Sequence, residues 1–137
     1  MQDIILTAPK QPTDDSGNGS RYRIQAIERA MSIRGARYLH VLVPCPLGWG
    51  AASHDTIRLA RLARETGLFP VFEGEHGEVV SVSKIRNRVP VDEYLRPQKR
   101  FAHLFGSPGR PDMLERIQAR ADRNIRRFGL LDAEAAS

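Results

Sequence analysis

Apolar residues recur at helical spacing in three stretches of this chain and form almost unbroken runs in two others, and the two kinds of pattern alternate. From Tyr22 to Arg34, residues Ile24, Ile27, Ala30 and Met31 share one face, with Ser20 placed to cap a helix and Gly35 to stop it. Tyr38 to Val43 is apolar at nearly every position, as in a strand covered on both faces in a parallel sheet, and Pro44 ends it. A second helix runs through Thr66, capped by Ser53 or Asp55, with Leu59, Ala60 and Ala63 inward and Gly67 closing it. Leu68 to Glu73 reads as a strand whose Pro70 suggests an edge or the strand's beginning, and the alternating Glu78 to Ser83 as the returning arm of a hairpin turning at Gly74 to Gly77. Short helical patterns broken by Pro97 follow from Val89. A last helix opens at Pro111 and Asp112, where Leu114, Ile117, Ala121, Ile125 and Phe128 form one stripe and Gly129 marks the end.

Helix, strand, helix, strand predicts an α/β fold of mainly parallel strands with a C-terminal antiparallel hairpin and flanking helices. Three regions are expected: a flexible lead-in over 1–20, an α/β domain over 21–105, and a linker with an amphipathic helix over 106–137. Residues 10–20 hold no apolar side chain except proline.

Composition narrows the classes. With 137 residues, 41% hydrophobic and 27% charged, the make-up is that of one compact soluble domain. No apolar run approaches the roughly 20 residues of a membrane helix. The opening apolar stretch is too brief for a signal sequence, so a cytoplasmic location is expected. The net charge of +5 raises nucleic acid as a partner, and Arg116, Arg120, Arg123, Arg126 and Arg127 line one face of the last helix. No aromatic residues are interleaved with them as a stacking platform requires, so a nucleic-acid module ranks last.

One cysteine excludes an internal disulfide and any metal centre built from this chain's thiolates alone. Cys45 sits just past the first strand in His40-Val41-Leu42-Val43-Pro44-Cys45-Pro46-Leu47-Gly48-Trp49-Gly50, where ligands of open α/β sheets gather. Pro44 and Pro46 stiffen the loop, Gly48 and Gly50 permit close backbone approach, and Leu47 and Trp49 are placed to exclude water. Such a thiol suits a metal ligand. A lone cysteine is also a common packed hydrophobe, and local chemistry alone does not separate the two. His40 and His54 are the nearest bases, without triad spacing. Asp92-Glu93 reads as helix-start charge, and no phosphate-binding glycine loop is present.

This loop, together with Thr56 to Glu73, Val89-Pro90-Val91-Asp92-Glu93-Tyr94-Leu95 and Gln98-Lys99-Arg100-Phe101-Ala102-His103-Leu104, resembles the C-terminal half of the β subunit of 2-oxoacid:ferredoxin oxidoreductases, the pyruvate synthase family. The resemblance implies the C-terminal part of a thiamine-diphosphate-binding fold. It implies Cys45 as one thiolate ligand of a 4Fe-4S cluster, with Pro44, Pro46, Gly48 and Trp49 around it. It also implies oxidative decarboxylation of a 2-oxo acid such as pyruvate, with coenzyme A taking the acyl group and electrons passing to ferredoxin or a similar acceptor. The family's Gly-Asp-Gly segment for Mg2+ and thiamine diphosphate does not occur here, three cluster cysteines are missing, and Leu47 stands where threonine is common. The expectation is a split subunit, a fragment or a remnant that relies on a thiamine-binding half and on α- and γ-type subunits, and is inactive alone. The alternative is an inactive structural or assembly remnant with Cys45 merely packed.

Overall fold

The computed structural model describes residues 4–9, as backbone, and residues 26–131. Within them the chain is α/β and divides into two units, each with its own contacts: a sheet unit up to Val43 plus Val71–Ser83, and a helical unit of Pro44–Pro70 and Lys84 onward.

The sheet unit contains β1 (Ile4–Pro9), α1 (residues 26–32), β2 (Arg37–Leu42), β3 (Phe72–Glu75) and β4 (Glu78–Val82). The strand order is β2-β1-β3-β4. β1 runs parallel to β2, in register from Ile4↔Arg37 to Pro9↔Leu42, and antiparallel to β3. The hairpin of β3 and β4 is antiparallel, as the alternation at 78–83 predicts, with a register shift between Glu73 and Gly74. Its turn narrows to His76 and Gly77, both at positive φ (54° and 83°), the two-residue geometry that matches strand twist.

Three expectations are corrected here. Residues 4–9 of the lead-in form a strand, because Ile4-Ile5-Leu6 is short but rich in strand-forming residues; the rest of that lead-in, with Ser20, Tyr22 and Ile24, lies outside the described residues. The sheet is mixed instead of mainly parallel, since β1 intervenes between β2 and the hairpin. Among the described residues β2 is an edge strand and is not covered on both faces, with Tyr38 57% exposed and Leu39 and Val41 also exposed. A continuous apolar run records that a strand is suited to burial, not which polypeptide buries it. On the helix side, Ala26 and Ala30 pack with Ile33, and Arg29 bridges Glu75 (2.7 Å) and Glu73 (3.3 Å), which hold its guanidinium protonated.

The helical unit holds α2 (Pro46–Trp49), a 3-10 turn (Ser53–Asp55), α3 (Thr56–Glu65), α4 (Val91–Leu95), a 3-10 segment (Lys99–Leu104) and α5 (Pro111–Phe128). α3 buries Leu59, Ala60, Leu62 and Ala63, the inward face read from the sequence plus Leu62. Neither candidate residue caps it through a side chain: Asp55 makes no cap bond and faces Arg58 at 3.7 Å, while the Thr56 hydroxyl donates to Ser53 O. Gly67, at φ 76°, lets the end of α3 meet α5, where an added Cβ would lie 2.7 Å from Ile125 Cγ1. The Asn124 amide donates to Gly67 O at 2.9 Å. From the far side Val91 N–H donates to Gln118 Oε1 (3.0 Å), and Arg88 pairs with Asp122 (2.6 Å), which accepts from Gln118. α5 begins with proline at its first turn and ends on Gly129 at φ 55°; Lys84 Nζ donates to Gly129 O. Its stripe turns Ala121 and Ile125 fully inward and leaves the five arginines of the opposite face exposed.

Among the described residues, no helix is long and apolar enough to cross a membrane.

Candidate metal-ligand site around Cys45

Cys45 begins a single helical turn. Pro46 takes the first helical position, where its missing N–H costs nothing, and Cys45 takes the N-cap with extended backbone (φ −112°, ψ 101°). Its Sγ accepts the Gly48 N–H at 3.4 Å. Trp49 N–H donates to Cys45 O (2.9 Å) and Ala51 N–H to Pro46 O (3.0 Å), and Gly50 closes the turn in the left-handed region at φ 63°. A side chain on Gly48 would bring its first carbon 3.3 Å from the sulfur. The thiol is free and exposed, although Pro44 beside it is buried. Among the described residues no hydrocarbon covers this side chain.

The turn is gripped by the segment that follows α4. Lys99 N–H donates to Gly50 O at 3.3 Å, and a Cβ on Gly50 would stand 2.7 Å from Lys99 Cβ, so only glycine fits. The guanidinium carbon of Arg100 lies 4.0 Å from the centre of the Trp49 ring and 4.7 Å from that of Phe101. Its Nε donates to Gln98 Oε1 at 2.9 Å. Gln98 is 0% exposed, and its amide donates to Tyr94 O in α4. Burial pushes the Tyr94 phenol above its ordinary range, opposed by the charge of Arg100 and by hydrogen bonds with Gln98 and Arg100. Arg100 is exposed, and a stacked guanidinium at an exposed site contributes about 0.5–1 kcal/mol.

Of the residues read from the sequence, Cys45, Pro46, Gly48 and Trp49 lie in one turn, with Pro44 immediately before it. Leu47, expected to keep water out, is 96% exposed, because nothing among the described residues lies over the second position of so short a helix. Trp49 is half-buried, and a cation covers it. His54 faces Asp55 at 4.0 Å, and His40 lies within β2 near Tyr38. Among the described residues no group of three or more histidine, cysteine, aspartate or glutamate side chains could hold a metal ion. Sequence reasoning missed Lys99 and Arg100 as partners of the loop; Gln98-Lys99-Arg100-Phe101 belongs to the same set of ordered motifs, but no local pattern joins the two segments.

No family model matches the chain. It is 46% identical, over 110 residues and 80% of its length, to the pyruvate synthase subunit PorB of Methanosarcina barkeri, of which the match covers 37%. It is 41% identical over 107 residues to the PorB subunit of Methanocaldococcus jannaschii, covering 78% of this chain and 34% of the relative. It is 34% identical to the ketoisovalerate oxidoreductase subunit VorB of Pyrococcus abyssi, over 59% of this chain and 27% of that one. The chain thus spans about a third of the length of the curated relatives it matches, and what it is similar to is part of the β subunit of a 2-oxoacid:ferredoxin oxidoreductase.

Proposed function

We propose that this chain is one part of a 2-oxoacid oxidoreductase and supplies a single thiolate, Cys45, to a 4Fe-4S cluster whose other ligands come from elsewhere in the assembly. The observation that carries the reading is an exposed thiol on a Pro-Cys-Pro turn, already under a backbone N–H, in a chain 46% identical to a pyruvate synthase subunit. The donor fits the group: cluster ligands are thiolates, and hydrogen bonds to the sulfurs and solvent exposure set the potential. With one cysteine in the chain, the other thiolates must be contributed elsewhere.

When bound, the cluster supplies one-electron transfer. The work of this chain is placement: Pro44 and Pro46 limit the backbone on either side of the sulfur, Gly48 donates to it, and the 98–101 segment holds the turn. Thiamine diphosphate and Mg2+ do not fit residues present here, because no Gly-Asp-Gly segment occurs and no metal-holding group is found among the described residues. Those cofactors are therefore assigned to the complete assembly, to whose thiamine-binding fold this chain contributes the C-terminal part. Its further partners in this proposal are α- and γ-type subunits, coenzyme A and ferredoxin or a similar acceptor. The exposed apolar residues of β2 fit a chain that works only when joined to others.

Co-expression with the neighbouring reading frames tests the proposal. The purified complex is expected to contain iron and acid-labile sulfide and to oxidise a 2-oxo acid, and the chain alone to contain neither metal nor activity. A complex free of iron, or one that fails to form with any partner carrying the thiamine site, contradicts it.

A further inference from the structure

We infer that Arg100 is the positioning residue of the cysteine turn: its guanidinium, wedged between Trp49 and Phe101, keeps the turn folded in the free chain, before any partner or metal arrives. Three observations converge. The cation lies 4.0 Å from the centre of the Trp49 ring and 4.7 Å from that of Phe101, so one planar group touches both the turn and the segment behind it. Its Nε is fixed by Gln98, which is itself fully buried and bonded to α4, so the wedge is anchored to the helical core instead of swinging in solvent. The adjacent Lys99 N–H reaches Gly50 O, clasping the same turn at its end. A four-residue helix has no stability of its own. Its order must come from these contacts, and Arg100 makes the only side-chain stack on Trp49 among the described residues.

A flat guanidinium can stack and donate from Nε at once, which an ammonium cannot. Lysine at this position therefore keeps the charge and loses the function. The inference concerns the turn itself; only its use for ligation rests on the proposed function.

The full chain provides its own reporter, because Trp49 is its sole tryptophan. In Arg100→Ala, removal of a contact of this strength is expected to raise acrylamide quenching of Trp49 and speed hydrogen exchange at the Trp49, Ala51 and Lys99 amides by about threefold or more. The Ala121 and Ile125 amides in α5 are expected to keep their wild-type rates. Arg100→Lys is expected to behave like alanine, and Gly50→Ala, which breaks the clasp by clash with Lys99, to loosen the same amides. If Arg100→Ala does not fold, Arg100→Lys is judged by the same measurements. Unchanged quenching and exchange in the folded variants, full restoration by lysine, or a uniform rise that includes α5 overturns the inference. No readout involves metal, so a negative outcome leaves the ligand proposal standing, and an iron-free complex leaves this one standing.

Discussion

Cys45→Ser in the co-purified complex is expected to lower bound iron, acid-labile sulfide and the visible absorption of the cluster together, by at least about tenfold in metal retention. The substitution is close to isosteric, and serine is a good N-cap, so its Oγ can accept the Gly48 N–H that the sulfur now accepts at 3.4 Å. The turn between Pro46 and Gly50 should survive, and the loss would then report on the donor atom and not on misfolding. An alkoxide is a harder, poorer ligand for iron than a thiolate. If oxygen does replace sulfur, a shifted electron paramagnetic resonance spectrum reveals it. A substituted complex that keeps its full iron, sulfide, spectrum and activity removes Cys45 from the ligand set.

Leu59→Ala is expected to destabilise the folded chain by about 2–5 kcal/mol, the range for emptying a close-packed leucine site. Leu59 is 1% exposed on the inner face of α3, among the most enclosed side chains described. The helix end is clamped by Gly67 against Ile125, which leaves the surroundings little room to collapse into the space. For a domain whose whole stability is about 5–15 kcal/mol, that is a large share. Urea unfolding followed by Trp49 fluorescence measures it. A change below about 1 kcal/mol would show that the buried face of α3 does not carry this unit.

The helices were legible from the chain because their signals are local. The 3.6-residue stripes of α3 and α5, proline at the start of α5 and glycine at its end give the same boundaries in sequence and structure to within a few residues. So was the hairpin, whose turn needs positive φ at two positions and finds His76-Gly77. The parallel sheet was misread for a reason that is not local. Ile4-Ile5-Leu6 is too short to announce a strand, and its insertion between β2 and β3 decides the order of the sheet. The exposure of Tyr38, Leu39 and Val41 was equally hidden, since an apolar pattern does not tell which chain supplies the cover. At the site, the prolines and glycines around Cys45 predicted a tight turn and the structure has one. The grip of Lys99 and Arg100 could not be read from spacing, because it joins residues about fifty positions apart through α4 and a buried glutamine.

Because the chain has a single cysteine, the ligand assignment can be tested at one atom. The chain is grown with cysteine carrying carbon-13 at Cβ, assembled with unlabelled partner subunits, and the cluster is reduced for electron-nuclear double resonance. A thiolate bound to iron passes spin density to its own Cβ, so a carbon-13 hyperfine coupling is expected that disappears when the label is omitted. A reduced, paramagnetic cluster with no carbon-13 coupling from the labelled chain would contradict the account.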